Sequence, residues 1–395
     1  MKLAVIGGRL QGVEIAYLAQ KAGWEVFLVD RDKEAPARKL CNHFHPLEIT
    51  AEKDLDRVIG GVDLVIPAVE NERILTILYR WAQGNGIPIA FDPASYSVSS
   101  SKVRSNELFE QNGIPYPRPW PECSFPLIAK ASSGSGSENV HLITSNSDLQ
   151  NLDACPGGQW VIQEWEEGPS YSLEVIGTGK DSRVFQVTEL EMDAGYDCKR
   201  VIAPALLDED CRGEFSEIAL RISRALNLFG IMDVEIIISD RGIKVLEIDA
   251  RFPSQTPTAV YHSSGVNLVE FLGKLTLDPM SNLNSFPLVR PIGVIYEHIK
   301  ITPGILEVAG EHIMTGYGPL LHLPDFCGAD EVLTSYAPGI SEWAATLIVT
   351  GASREEAWLR RNEVIKDMMK QFKLSEYRDP YPQGSPPDYT ISRGE

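Results

Sequence analysis

Glu247-Ile248-Asp249-Ala250-Arg251-Phe252-Pro253-Ser254-Gln255-Thr256-Pro257-Thr258 decides how this chain is read. Glu247, Asp249 and Arg251 alternate with apolar residues, and a period of two sends all three side chains to one face of a strand. Residues 232–238 form an earlier apolar run that carries Glu235. The Ser239-Asp240-Arg241-Gly242 segment between the runs has hairpin-turn chemistry. If the runs pair, Glu235 joins that face, and three carboxylates and a guanidinium converge. Like charges so close repel unless cations compensate them. Hard oxygen ligands of this kind suit magnesium, which one or two carboxylates hold together with substrate phosphates. The solvated face of an amphipathic hairpin would give the same alternation. The proline-stiffened polar loop after Arg251 favours the ligand site, because it presents hydroxyl and amide groups to a small molecule.

Upstream come cations suited to phosphate: Lys102 before a helical stretch, Lys130 at the end of a strand, and then the flexible Ser132-Ser133-Gly134-Ser135-Gly136-Ser137 loop. Each alone is commonplace; their order before an acidic hairpin is informative. At the amino end, an apolar run over residues 3–7 leads into Gly7-Gly8-Arg9-Leu10-Gln11-Gly12. A helical pattern over 13–21 and a second run over 25–30 ending in Asp30 follow. This strand, helix, strand order, continued to about residue 92, predicts a doubly wound module with parallel strands. Arg9 occupies the third position of the glycine turn, where the dinucleotide fingerprint requires glycine, and Val13-Glu14 after Gly12 excludes a Walker loop. A tight structural turn remains an equal reading of these glycines.

At 395 residues the chain has room for two or three domains, and 43% hydrophobic with 23% charged residues is ordinary for a globular protein. The net charge of -19 disfavours nucleic acid and anionic lipid as partners. Six scattered cysteines lack zinc or redox spacing, no apolar stretch is long enough to span a bilayer, and no secretory cleavage site follows the first residues. A cytoplasmic protein acting on small molecules is expected. A homo-oligomer stays open, with no heptad seam to decide it.

This order of parts resembles the ATP-grasp superfamily: a doubly wound first domain, two phosphate-binding lysines, a Gly/Ser lid, a hinge and acidic metal strands, over residues 1–374. Val161-Ile162-Gln163-Glu164-Trp165-Glu166-Glu167-Gly168-Pro169-Ser170 resembles the hinge that receives adenine. Within the superfamily, the motifs VIGGRLQG, PAVEN, GIMDVE and above all EIDARFPSQTPT resemble the ligases of pyrrolysine biosynthesis. That resemblance implies ATP-dependent joining of the carboxylate of 3-methyl-D-ornithine to the side-chain amine of L-lysine, with ATP and Mg2+ required.

The fold class expected is α/β and α+β: an ATP-grasp fold with a Rossmann-like domain over residues 1–92 and an ATP-grasp domain over 93–289. The latter would contain a lid over about 122–170 and the metal hairpin over 232–251. A small C-terminal α+β domain over 290–375 and a flexible tail over 376–395 would complete the chain. For ATP the resemblance points to Arg9, Asp30, Glu48, Ile49, Lys102, Lys130, Ser137, Gln163, Glu164, Trp165 and Glu166. For metal it points to Glu235, Glu247 and Asp249. For 3-methylornithine it points to Ser172, Leu173, Glu174, Asp233 and the run Arg251, Phe252, Pro253, Ser254, Gln255 and Thr256. For lysine it points to Leu10, Gln11, Glu70 and Ser254. Arg251, Lys130 and Asp233 are the expected catalytic groups. A different ATP-grasp ligase, such as a purine-pathway carboxylase, is the nearest alternative, and the FPSQTPT loop argues against it. A nicotinamide-dependent dehydrogenase or a non-catalytic amino-acid-binding module is more remote, since metal carboxylates have no part in hydride transfer.

Overall fold

Strands β1 (Lys2–Ile6), β2 (Glu25–Asp30), β3 (His43–Pro46) and β4 (Leu64–Pro67) form a parallel sheet in the order β3-β2-β1-β4. The computed structural model describes residues 1–133, 140–152, 159–280, 283 and 291–382. Leu3 and Val5 enter one core, whereas Ala4 and Ile6 enter another on the opposite face. A strand buried on both sides needs a continuous apolar run, as its sequence shows. Gly7 has φ +107°, and a Cβ there would approach the Ala68 carbonyl oxygen to 2.3 Å. A Cβ on Gly12 would come within 2.1 Å of the Gly7 oxygen. These glycines therefore seat the helix Leu10–Lys21 closely and leave Arg9, Leu10 and Gln11 at its start.

A smaller antiparallel sheet, in the order β6-β5-β7, is formed by β5 (Leu127–Ala131), β6 (Val140–Ile143) and β7 (Trp160–Glu164). It closes over a core of its own that includes Leu127, Ala129, Ile143 and Leu152. Ser137 and most of the Ser/Gly loop lie outside the described residues.

The remaining strands are β8 (Ser170–Thr178), β9 (Ser182–Val184), β10 (Thr188–Met192), β11 (Cys198–Ala203), β12 (Phe229–Ser239), β13 (Gly242–Asp249), β14 (Gly293–Thr302), β15 (Ile305–Val308), β16 (Leu321–Phe326), β17 (Ala329–Thr334), β18 (Trp343–Gly351) and β19 (Glu376–Arg378). They make one 12-stranded sheet whose main path runs β13-β12-β8-β10-β11-β14-β18-β17-β16. The C-terminal region has its own core, with Ile299, Trp343, Leu347 and Met368, yet its strands extend the central sheet through the β11–β14 pairing.

The tail expectation needs correction. Residues 376–378 form β19, paired with β15, and Asp379 receives the Lys199 Nζ at 2.5 Å and an Arg200 nitrogen at 2.9 Å. Lys199 and Arg200 are fully buried. Composition predicted mobility because it counts apolar surface, whereas this segment is held by buried cations that require partners. Residues 383–395 lie outside the description. Among the described residues, no helix is long and apolar enough to cross a membrane.

Candidate active site

β12 and β13 pair antiparallel, so that Glu235 faces Glu247 and Asp233 faces Asp249. On the other side, β8 places Ser172 opposite Glu235 and Glu174 opposite Asp233. Two rows therefore cross three strands: Ser172, Glu235, Glu247, and beside it Glu174, Asp233, Asp249. Val234, Ile236 and Ile248 point the other way, into a core shared with the helix Glu209–Leu226. The apolar half of the alternation fixes the register and the acidic half is displayed by it; a one-residue slip would bury the acids in that core.

Cations border the rows. The Lys102 Nζ, at the start of the helix Lys102–Gln111, lies 2.8 Å from Glu247 Oε1. Arg251 Nη2 bridges Asp249 Oδ2 at 2.7 Å and Glu70 Oε1 at 2.8 Å, and the Gln11 amide lies 3.4 Å from the same Glu70 oxygen. Lys130 extends from β5 in the smaller sheet: burial lowers its pKa, while Glu247 and Glu235 draw it back up. Burial pushes Glu235 to about 7, with Glu247 adding to the rise. Burial also raises Asp249 to about 7, against the pull of Arg251. Asp233 is raised well above the carboxylate range by burial and by Asp249 and Glu235. Burial disfavours the Arg251 charge, but Asp249, Glu70 and Asp233 outweigh that cost and hold it protonated. The carboxylates thus exceed the local positive charge, a donor set suited to a divalent cation.

Asp233, Glu235, Glu247, Asp249 and Arg251 open into one cavity of about 700 Å³. Arg9, Asp30, Glu48 and Ile49 line it from the first domain, as do Leu10, Gln11 and Glu70; Pro253, Ser254, Gln255 and Thr256 line it from the loop after Arg251. Asp30 also holds the glycine turn, its Oδ2 accepting from the Gly8 N–H at 2.6 Å. Glu174 is fully buried, and that burial pushes its carboxyl to about 7.

Some expected side chains face elsewhere. Leu173 lies between the two rows, so the strand alternation sends it into the core behind the hairpin, and Phe252 is buried in the large core. Only their backbone atoms are available to a ligand. Glu164 accepts from Arg118 Nε and Arg241 Nη1, both at 2.8 Å, and burial is outweighed by these partners, which hold its carboxyl at about 2. Its side chain therefore braces the hinge. The neighbouring Gln163 donates to the Pro117 oxygen at 3.2 Å, Glu166 pairs with Arg241 at 2.9 Å, and the Trp165 ring stands edge-on to Tyr196, a residue of the cavity wall.

Asp197, Glu311 and His312 also line the cavity and were not anticipated. They come from the turn after β10 and the 3-10 segment Glu311–Gly316, more than a hundred residues apart, and no local spacing announces them.

The central part of the chain matches the family model for an ATP-grasp domain over residues 99–255. That class agrees with the two rows of acids and their flanking lysines. Two curated relatives are similar over nearly their whole length. The 3-methyl-D-ornithine–L-lysine ligase of Methanosarcina mazei is 35% identical over 375 residues, 94% of this chain and 96% of that one. That of Methanosarcina barkeri is 32% identical over 380 residues, 94% and 98% of the two chains. The chain belongs to the 3-methyl-D-ornithine–L-lysine ligase family of ATP-grasp enzymes. Among solved structures, N5-carboxyaminoimidazole ribonucleotide synthetase of Thermotoga maritima superposes with a TM-score of 0.64 at 21% identity, covering 92% of this chain and 98% of that one. At that identity the likeness speaks for the fold.

Proposed function

We propose that this protein uses ATP to activate the carboxylate of 3-methyl-D-ornithine and joins it to the side-chain amine of L-lysine. The observation that carries this reading is the set of carboxylates Asp233, Glu235, Glu247 and Asp249 that open with Arg251 into a single cavity, Lys102 pairing with Glu247 and Arg251 with Asp249. A phosphoryl group moves from ATP to a carboxylate oxygen and releases ADP; the amine then attacks the acyl carbon, loses a proton and expels phosphate. Lys102 and Lys130 are placed to draw charge from the phosphoryl oxygens, and the enzyme's contribution there is mainly positioning. Magnesium, held by Glu235, Glu247 and Asp249, would add charge neutralisation between phosphate groups. Arg251 orients the substrate carboxylate and stabilises the oxyanion that forms on amine attack. Asp233, opposite Asp249 on the hairpin and lining the cavity, is the group assigned to receive the amine proton, a role it fills in its ionised form.

Arg9, Asp30, Glu48 and the hinge are assigned to ATP, and Leu10, Gln11, Glu70 and Ser254 to lysine. Ser172, Glu174 and the loop from Arg251 to Thr256 are assigned to the ornithine-type acid. Incubation with ATP, magnesium, L-lysine and D-ornithine as a stand-in acid should yield equimolar ADP and a product whose mass is the sum of both amino acids less one water. ADP release without that mass, or no release at all, refutes the ligation.

A further inference from the structure

Glu14 takes no part in the steps above, yet it lies on the helix that begins with Leu10 and Gln11. It is only 1% exposed, and its Oε1 accepts from the Thr258 N–H at 2.6 Å, 244 residues away in the chain. The start of the helix Thr256–Ser264 explains this bond. Gln255 stands at its cap position with φ +65° and supplies no side-chain acceptor. The Thr256 N–H turns back to the Ser254 oxygen at 2.7 Å, and Pro257 has no N–H. Thr258 is therefore the first helical donor left open, and Glu14 closes it from outside the helix. A non-glycine residue keeps a positive φ only where its surroundings impose it, and the Glu14 bond, three residues beyond Gln255, is one such constraint. About one turn further along both helices, the Tyr17 hydroxyl meets the His262 ring at 2.7 Å, so the two elements touch at two matched levels. Leu10 and Gln11 line the cavity at one end of this link, and Ser254, Gln255 and Thr256 line it at the other.

We propose that Glu14 is a positioning residue: by holding Thr258 it fixes the loop of the acid site against the Leu10 and Gln11 turn of the amine site, and so sets the spacing between the acyl carbon and the attacking amine. The inference rests on the ligase reading above. Burial pushes the Glu14 carboxyl to about 8, against its bond from the Thr258 N–H, and Glu311 and Glu174 add to the rise. Near neutrality the group is an uncharged acceptor, which Glu14→Gln imitates and Glu14→Met deletes at similar volume.

A misplaced amine strands the acyl phosphate. Water then takes it, returning the free acid and phosphate, and ADP exceeds amide. The test supplies ATP, magnesium, D-ornithine and saturating L-lysine, and follows ADP and the amide by mass. A parallel reaction replaces lysine with hydroxylamine, which attacks the same acyl carbon, expels phosphate and forms a hydroxamate without needing the lysine site. Glu14→Met should form amide roughly 10- to 100-fold more slowly, as expected when reacting groups shift by about an ångström, and its ADP should exceed its amide. Its hydroxamate rate should stay within about threefold of the unmodified protein, since activation of the acid does not depend on where lysine sits. Glu14→Gln should keep ADP and amide equal. Equal ADP and amide at the unmodified rate in Glu14→Met overturns the proposal. So does a matching fall of amide and hydroxamate, which marks a general loss of structure. Uncoupling in Glu14→Gln as severe as in Glu14→Met overturns it too, because the acceptor survives there. If Glu14→Met does not fold, Glu14→Asp replaces it: the shorter arm should uncouple ADP from amide where Gln does not, and full coupling in both refutes the inference. Neither amide nor hydroxamate from the unmodified protein would sink the ligase reading and this inference with it, whereas amide formation indifferent to Glu14 sinks the inference alone.

Discussion

Arg251 is the residue on which chemistry and electrostatics meet, since one guanidinium group contacts both Asp249 and Glu70. Arg251→Ala removes the oxyanion donor and leaves two acids facing each other without their counter-ion. We expect kcat to fall on the order of 10²- to 10³-fold, as when a preorganised oxyanion donor is deleted, with the ATP dissociation constant changed by less than about threefold. Steady-state rates and nucleotide titration check this, and an unaltered kcat would remove Arg251 from the reaction. Arg251 was legible in the sequence because its signal is local: Glu247, Asp249 and Arg251 alternate within five positions. Leu173 and Phe252 were not, because a motif match names positions without saying which way each side chain points; alternation along β8 turns Leu173 into the core while Ser172 and Glu174 face the site. Glu311 left no local trace at all. Its proximity to Ser254 and Gln255 arises only when the C-terminal strands extend the central sheet.

At the scale of the element, the hairpin of β12 and β13 is a strained electrostatic device, because like charges directly opposite on neighbouring strands destabilise the pairing. Glu235 and Asp249 start from ordinary values of 4.5 and 3.8, and burial pushes each to about 7. A carboxyl with a raised folded-state pKa favours the fold below its unfolded pKa, and that contribution is lost as pH rises through the folded value. Without divalent ions, the thermal midpoint should therefore decline from about pH 5 to about pH 8. Magnesium binds the deprotonated acids, so its stabilising shift should grow across the same interval and its uptake should release protons. Thermal scans with and without magnesium, and calorimetry in buffers of differing ionisation enthalpy, read both effects. An equal magnesium shift at both ends of that range would contradict the assignment of the hairpin as the metal site. The sequence supplied this element because strand alternation is written residue by residue. The strap of residues 376–382 was hidden because its anchors, Lys199 and Arg200, are distant in the chain and polar.

At the scale of the whole molecule, the first domain is bound into the rest. One core contains Leu3 and Val5 from β1, Val201 from β11, Phe271, Val294 from β14 and Ile348 from β18. Glu331 on β17 ties the same regions together by polar contacts: it accepts from the Tyr17 hydroxyl at 2.7 Å and the Lys21 Nζ at 2.6 Å, and meets His322 Nε2 at 2.5 Å. Tyr17 also contacts His262 at 2.7 Å, and burial lowers His262 to about 4, so that ring is neutral near physiological pH. Burial works against the Glu331 charge, but its partners His322, Lys21 and Tyr17 outweigh it and hold the carboxyl at about 2. The depressed value means that this junction stabilises the fold above the ordinary carboxylate pKa and fails as pH falls toward about 2. Glu331→Gln should cost on the order of 1–2 kcal/mol at neutral pH, because Lys21 loses its half-buried partner, and the cost should vanish progressively on acidification. A shared core and a shared ion network also predict that the first and last regions unfold together. Calorimetry of the variant should therefore show the main transition moved down by several degrees without splitting. A separate early transition assigned to residues 1–92 by hydrogen exchange, in either protein, would show that the junction does not couple them.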